Sequence, residues 1–409
     1  MKKHKIVLLS DNLQGGAALV PNLLANDLSA QEGYEVHRWH FTPPATPAFF
    51  QPSVQEKSLY RNRKRPFVER IVKNFSKKVA SVMRHKRNEL ALLEAVKRER
   101  PDLIHVHNIH SADIDHSTLQ KLPADIPIVW TLHDFWPLKA IAFSWSERED
   151  KQLQRYKIGT WSRAALLQKR DAFFSQRKNL TLVAPSAYVQ RVVRHYAARH
   201  QVPCAVIPYV INRGFFRPQD HAAAAEKWGL TSDKTWIGIG STWNNSRKGM
   251  DVLWRALAHA DCRSLGLLIW GHESNQQPII KDLTIRNAGY VSETDRVASL
   301  YAAVDAFICP TKADTGPLTV MESMAVGTPV LASRVGGIPE RISHGESGLL
   351  FPSQDHLALA ALLEDIQKDI WPLKELGERA RSFALQNFEP QRQVHQHMDL
   401  YQSVLQRTP

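Results

Sequence analysis

Residues 306–340 constrain the fold more than any other stretch. Ala306-Phe307-Ile308-Cys309 is a short apolar run closed by Pro310, the pattern of a buried strand. A polar loop carrying Asp314 and Gly316 follows, and Leu318 to Val326 repeats apolar residues at helical spacing until Gly327-Thr328-Pro329 stops it. Val330-Leu331-Ala332 is a second strand, and Gly336-Gly337 turns into a further helix at Pro339-Glu340. Strand, loop, helix, strand, loop, helix is the grammar of an open parallel sheet. Such sheets bind ligands beyond their strand C-termini, where helix N-termini offer free N–H groups to anions. Asp314 and Glu322 fall at that edge, one in the loop and one in the helix. Two acids beside backbone amides suit the hydroxyls of a sugar next to a phosphate.

A chain of 409 residues has room for two domains of ordinary size. It holds no apolar run of about 18 residues, so no membrane span is expected. The N-terminus is basic and then apolar, but Ile6 to Leu9 is too short for a secretory leader and runs into Asp11-Asn12, so a first strand is expected. Cys204, Cys262 and Cys309 have neither zinc spacing nor an even count, which favours a reduced, cytosolic chain. The net charge of +13 calls for an anionic partner or surface.

After the first strand, Gly15-Gly16 forms a loop, Leu19 to Ala30 a helix and Glu35 to Trp39 a second strand. Glycines there let a phosphate approach the backbone, although the pair is not a full dinucleotide fingerprint and a plain tight turn explains it equally well. The stretch from Lys57 to Arg100 is strongly basic, with Phe67, Ile71, Phe75, Val79 and Val82 at helical spacing. It is either an amphipathic helix for an anionic lipid surface or a core-packed helix with a solvated basic face. His105 and His107 share one side of a strand as metal ligands would, but no third ligand is indicated and buried histidines are expected. His133 ends the strand Ile126 to Leu132, in the ligand-binding crevice, with a structural histidine as the alternative.

Arg163 to Lys178 has the pattern of a surface helix, and Ser186 that of a helix N-cap after a strand ending at Ala184-Pro185. An irregular segment with Gly214 and Pro218 then separates two βα series. The second begins at Trp236 to Gly240 and continues through a loop with Asn244, Asn245, Arg247 and Lys248. Strands at Leu265 to Gly271 and Thr284 to Tyr290 follow, then a helix at Asp295 to Ala303. Helix predominates from Asp355 to Gln406. The expected division is residues 1–207 and 208–386, with 387–409 as a terminal helix.

In this order of motifs the chain resembles glycosyltransferase family 4, the retaining nucleotide-sugar enzymes. The likeness runs through Gly15-Gly16, His133, Ala184 to Ser186, Arg247-Lys248-Gly249, TGPLTVMESMAVGTPVLASRVGGIPE and SGLLFP. WTLHDFWPL is most like enzymes that build bacterial exopolysaccharides of the colanic-acid type. The resemblance implies an α/β chain of GT-B fold: two Rossmann-like, doubly wound domains face a cleft, and a C-terminal helix crosses back to the first. It further implies that Asp314 holds donor-sugar hydroxyls and Glu322 the ribose hydroxyls. Lys248 and Arg247 would neutralise the diphosphate, helped by backbone amides of Gly316, Leu318, Thr319 and Val320. Gly15 and Gly16 would approach the phosphates from the other domain, and His133 the donor sugar. Base recognition is expected around Gly271-His272 and Val291-Ser292. Asp314 stands where the family more often has Glu, and Gly240 is followed by Ser241 rather than Arg.

The implied reaction moves a sugar from a nucleotide diphosphate to a hydroxyl of a glycan or lipid-diphosphate-linked acceptor. No metal or other cofactor is expected. Negative charge growing on the leaving phosphate needs fixed positive groups rather than a base. The implied location is cytoplasmic, with peripheral attachment to the inner-membrane surface through Lys57 to Arg100 as a hypothesis. Within enzymes the alternative is a nucleotide-sugar epimerase or hydrolase on the same fold. A basic nucleic-acid-binding protein is the rival from another class; no nucleic acid is expected, because Asp314 and Glu322 would repel its phosphates.

Overall fold

The computed structural model describes residues 3–13, 16–43, 52–60, 77–138, 160–240, 246–271, 278–291 and 293–407. In the first half these form strands β1 (His4–Leu9), β2 (Tyr34–His40), β3 (Gln55–Ser58), β4 (Leu103–Val106), β5 (Ile128–Thr131), β6 (Leu180–Ala184) and β7 (Cys204–Val206). The helices α1 (Gly16–Ser29), α2 (Lys77–Glu99), α3 (His116–Gln120), α4 (Thr160–Gln176) and α5 (Ala187–Arg199) connect them. The second half has β8 (Thr235–Gly240), β9 (Leu265–Trp270), β10 (Thr284–Asn287), β11 (Ala306–Cys309), β12 (Val330–Arg334) and β13 (Leu349–Pro352). Its helices are α6 (His221–Lys227), α7 (Met250–His259), α8 (Thr294–Ala302), α9 (Leu318–Val326), α10 (His356–Gln367), α11 (Leu373–Asn387) and α12 (Pro390–Arg407).

Two parallel sheets result, ordered β3-β2-β1-β4-β5-β6-β7 and β10-β9-β8-β11-β12-β13. Each reverses direction once, between β1 and β4 and between β8 and β11. A crevice opens at the carboxyl ends of such a pair, because the flanking connections leave on opposite sides. Of the expected site residues, Gly16 follows β1 and His133 the neighbouring β5 in the first sheet, while Arg247 and Asp314 follow β8 and β11 in the second.

Burial on both faces explains the apolar runs of the strands. Ile6 and Leu8 pack with Leu24 and Leu28 of α1 and with Val394 and Tyr401 of α12. Val7 and Leu9 face the other way, toward Leu92 and Val96 of α2 and Phe173 and Phe174 of α4. The second sheet repeats the scheme, with Ile237 and Ile239 against α7 and α10, and Trp236, Phe307 and Val330 against α8, α9 and α11. The terminal helix α12 returns to the first sheet, where the Tyr401 hydroxyl lies 2.6 Å from Nδ1 of His105.

Three elements differ from the sequence reading. The helix expected on the surface from Arg163 is α4, which sinks Phe173, Phe174 and Arg170 into the protein. Its apolar pairs, Leu166-Leu167 and Phe173-Phe174, are separated by Gln168 to Asp171, so no continuous apolar stripe marks the buried face. The edge strand β3 is polar along its whole length, Gln-Glu-Lys-Ser, and therefore left no apolar signature. From the basic stretch, α2 buries Ala91, Leu92, Ala95 and Val96 while exposing Val82 and Leu90, so its second half is a core helix. Phe67, Ile71 and Phe75 lie outside the described residues, so of the expected apolar stripe only Val82 is seen to be exposed.

Candidate active site

The cationic part of the site is assembled by backbone contacts between two loops. Behind β8, residues Ser246–Lys248 form one 3-10 turn, and Gly249 follows at φ +74 as the N-cap of α7. A side chain there is excluded twice: the conformation disfavours one, and a Cβ would stand 1.8 Å from the Pro310 carbonyl oxygen. With the loops this close, the Arg247 carbonyl accepts from Lys312 N–H at 2.7 Å and from the Thr311 hydroxyl at 3.1 Å. Arg247 and Lys248 are thereby aimed at one carboxylate. Oδ2 of Asp314 accepts from Arg247 Nη1 at 2.8 Å and from Lys248 Nζ at 3.2 Å.

Asp314 itself is held from below. Gly336, at φ +61, brings its Cα within touching distance of the Asp314 carbonyl, since a Cβ would lie 1.8 Å from that oxygen. The neighbouring Gly337 N–H donates to the same carbonyl at 3.3 Å. Oδ1 of Asp314 accepts from Gly316 N–H at 3.2 Å, so that amide is turned inward. Burial alone would raise this carboxyl, but Lys248 and Arg247 hold it down at about 2. It is ionised across the physiological range, and the trio carries one net positive charge.

Four residues on from Asp314, α9 begins at Leu318 after Pro317, with no side chain capping it. The amides of Leu318, Thr319 and Val320 are its first-turn donors, which an anion satisfies. Glu322 sits one turn further, its Oε2 accepting from the Tyr301 hydroxyl at 2.9 Å. Burial drives its pKa up to about 7, against the smaller lowering effect of the Tyr301 donor. Glu322 is therefore an acid poised to change charge near neutrality, unlike Asp314.

His133 enters from the first domain. Its Nε2 lies 2.9 Å from Nδ1 of His107, and its Nδ1 lies 2.7 Å from the Tyr209 hydroxyl, with the two rings stacked at 19°. Burial, with Arg38 in support, lowers His133 to about 3, so it is neutral at physiological pH. Both ring nitrogens are engaged, and a sugar hydroxyl must share one of these bonds. Its carbonyl accepts from Thr315 Oγ1 at 2.8 Å, and the Ser186 hydroxyl donates to the Thr315 carbonyl at 3.0 Å. The two domains thus meet directly over the Asp314 loop. Ser186 also caps α5 through Val189 N–H, as its sequence position suggested.

Several participants had no sequence signature. Tyr209 lies in the irregular segment between the sheets, and only the fold puts it over His133. Tyr301 precedes Glu322 by 21 residues; an acid in an apolar helix announces that a partner exists, not which. Glu340 accepts from the Ala187 and Tyr188 amides at 2.8 and 2.5 Å, clasping the first turn of α5 across the domain boundary. Arg38 is fully buried beneath the first loop, donating to Asn22, the Leu8 and Trp39 carbonyls, Ser10 and the Asn12 carbonyl. It fixes the backbone leading to the glycine pair. Gly15 itself lies outside the described residues, as do Asn244, Asn245, His272 and Ser292, while Gly16 is the first residue of α1. His105 and His107 are both buried, and among the described residues no three potential ligands gather as a metal site would require.

Two family descriptions match the chain: Glycosyltransferase Family 4 over residues 14–213 and Glycosyl transferases group 1 over residues 233–369. N-acetyl-alpha-D-glucosaminyl L-malate synthase of Bacillus anthracis is 26% identical over 406 residues, 96% of this chain and 94% of that one. D-inositol 3-phosphate glycosyltransferase of Acidothermus cellulolyticus is 28% identical over a segment spanning 65% of this chain and 60% of its own. Among solved structures, the HepE protein of Anabaena in complex with UDP-glucose superposes with a TM-score of 0.71 at 17% identity, covering 98% of this chain and 99% of that one.

Proposed function

Since the chain belongs to glycosyltransferase family 4 and is an enzyme of GT-B fold, we propose that it transfers a sugar, with retention of anomeric configuration, from a nucleotide diphosphate sugar to an acceptor hydroxyl. The observation that carries this reading is the meeting of Arg247 and Lys248 on Asp314, four residues before the uncapped start of α9, with Glu322 a turn further on. Those groups supply positive charge for a diphosphate and an acceptor oxygen for a ribose. The bound UDP-glucose of the HepE structure supports a nucleotide sugar as the donor.

As the sugar leaves, charge accumulates on the outer phosphate. Lys248 and Arg247 are fixed before that charge appears, and fixed donors stabilise it without reorganisation. The acceptor hydroxyl attacks from the face the phosphate vacates, and the phosphate takes its proton. Asp314, already bonded to both cations, orients them, and its remaining lone pairs are directed to sugar hydroxyls. His133 borders the reacting carbon. The reading needs no metal, so transfer is expected to survive chelation by EDTA. The finer proposal, bacterial surface polysaccharide synthesis on a glycan or lipid-diphosphate-linked acceptor at the cytoplasmic membrane face, is supported by the WTLHDFWPL segment and by the basic stretch.

The test is a thermal-shift screen of nucleotide sugars, because a ligand that binds only the native state raises its melting temperature. A donor that stabilises the protein and loses its sugar only when acceptor is added supports transfer. Conversion of that donor without acceptor would instead establish the hydrolase or epimerase reading.

A further inference from the structure

One cation in the first domain has no role in the donor site. Arg170 on α4 is 1% exposed, and its Nε, Nη1 and Nη2 find no hydrogen-bond partner among the described residues. Its guanidinium carbon lies 5.0 Å from the centroid of the Trp136 indole, and the carboxylates of Asp134 and Asp115 act on it through space without hydrogen-bonding to it. A guanidinium carries five donors, and burying it with none satisfied is costly. Asp134 and Asp115 offset its charge but leave its donors unused, and an anion that bonds the fork directly is the natural complement, because carboxylate and phosphate match it with two parallel hydrogen bonds.

Its position makes that complement meaningful. Trp136 lies three residues beyond His133, past the C-terminal end of β5, and its ring stands 5.4 Å from that of His110 beyond β4. Both rings are partly exposed. Asp134 is buried beside them: its Oδ1 accepts Trp136 N–H at 2.8 Å, and its carboxylate is within electrostatic reach of both Arg170 and Arg247. Asp115, the other nearby acid, is engaged as the N-cap of α3 through Ser117 and Thr118. Arg170 is therefore a buried cation behind the Trp136 indole, in the first domain beside the loop that carries His133.

We propose that Arg170 is an anion receptor for the acceptor: a carboxylate or phosphate carried by the acceptor displaces the Trp136 ring and pairs with the guanidinium. This rests on the transfer reading above and narrows its acceptor to an anionic class. Dicarboxylate and phosphate acceptors, as in the names of the two relatives, and a lipid-linked diphosphate all carry the required group.

The experiment uses the full chain saturated with UDP, so that the donor phosphate site is filled, and titrates inorganic phosphate and L-malate in separate arms by thermal shift. The expected result is a further rise in melting temperature with at least one anion, the arm that responds telling phosphate from carboxylate. That rise disappears in Arg170→Met, and Arg170→Lys, which keeps the charge without the fork, binds the anion about tenfold more weakly. The rise with UDP alone stays unchanged in both variants. An anion response that survives in Arg170→Met, or no response in the wild type, overturns the proposal; should Arg170→Met not fold, Arg170→Lys at wild-type anion affinity does the same. Failure of UDP and every nucleotide sugar to stabilise the wild type would instead refute the transfer reading.

Discussion

Donor affinity is expected to depend on pH through Glu322. Burial holds this carboxyl at about 7 in the free protein, while the proposed ribose contact needs the ionised form as hydrogen-bond acceptor. If only that form binds, the apparent dissociation constant scales as 1 + 10^(pKa − pH). The factor is about 11 at pH 6 and about 1.1 at pH 8, a tenfold gain in affinity or about 1.4 kcal/mol. A nucleotide sugar has no phosphate monoester, so the ligand itself does not titrate in this window. Asp314 and His133, at about 2 and about 3, do not titrate there either. Calorimetric titration of the stabilising donor between pH 6 and 8 measures the effect, and binding releases a proton at pH 6 but almost none at pH 8. Glu322→Gln, which keeps the shape but cannot ionise, should bind weakly with a flat profile. A flat profile in the wild type, or an equal slope in Glu322→Gln, refutes the assignment. The sign for stability is opposite. A carboxyl raised above its usual 4.5 favours the folded state at low pH and loses that contribution as pH rises through 7. Without donor, Glu322→Gln should therefore be more stable than wild type at pH 8, by at most about 3 kcal/mol.

Lys248→Ala should lower transfer by about 10²-fold or more while leaving the melting temperature near that of the wild type; a near-normal rate would reject its role at the leaving phosphate. Gly249→Ala forces a side chain into the Pro310 carbonyl at positive φ. It should cost more than about 1 kcal/mol in urea denaturation and reduce donor affinity, because the loop holding both cations must retreat; unchanged stability would show that the two loops are not tightly coupled. Flotation with anionic liposomes at low salt tests membrane attachment through the 57–100 stretch, and absence of binding would sink that hypothesis.

The fold was legible because its strands are buried on both faces and announce themselves as apolar runs between turns. Helix α9 matches the reading at both ends for the same reason: Pro317 and Gly327 punctuate it. Legibility failed where burial and polarity part company. Strand β3 joins the sheet with polar side chains, Glu56 bonding His40 and Lys57 bonding Glu99, so it carries no apolar signal. Helix α4 places an arginine in the interior, and no local rule marks which arginine of a basic chain will be inside. The donor half of the site is contiguous enough in sequence to be recognised from 310–340, whereas the first-domain half is contributed by loops after four different strands.

The geometry also changes how the site's charges act together. Read from the sequence, Asp314 and the Arg247-Lys248 pair are separate devices, one for the sugar and one for the diphosphate. In the structure they share one oxygen, Oδ2 of Asp314. An exposed pair of this kind would contribute little, but here the aspartate side chain is 11% exposed and the arginine 11%. Two cations held this close would otherwise repel each other and swing toward solvent. With the carboxylate between them they remain in place, and the trio still carries a net positive charge toward an incoming diphosphate. The shorter acid suits this function, because its reach matches a loop pinned at two glycines. On this argument Asp314→Asn should weaken catalysis mainly by releasing the cations. Sugar analogues lacking a single hydroxyl should then lose comparable binding energy in the variant and in the wild type. If one deoxy analogue is discriminated by wild type and ignored by Asp314→Asn, that hydroxyl is bound by Asp314 directly, and the orienting role is secondary.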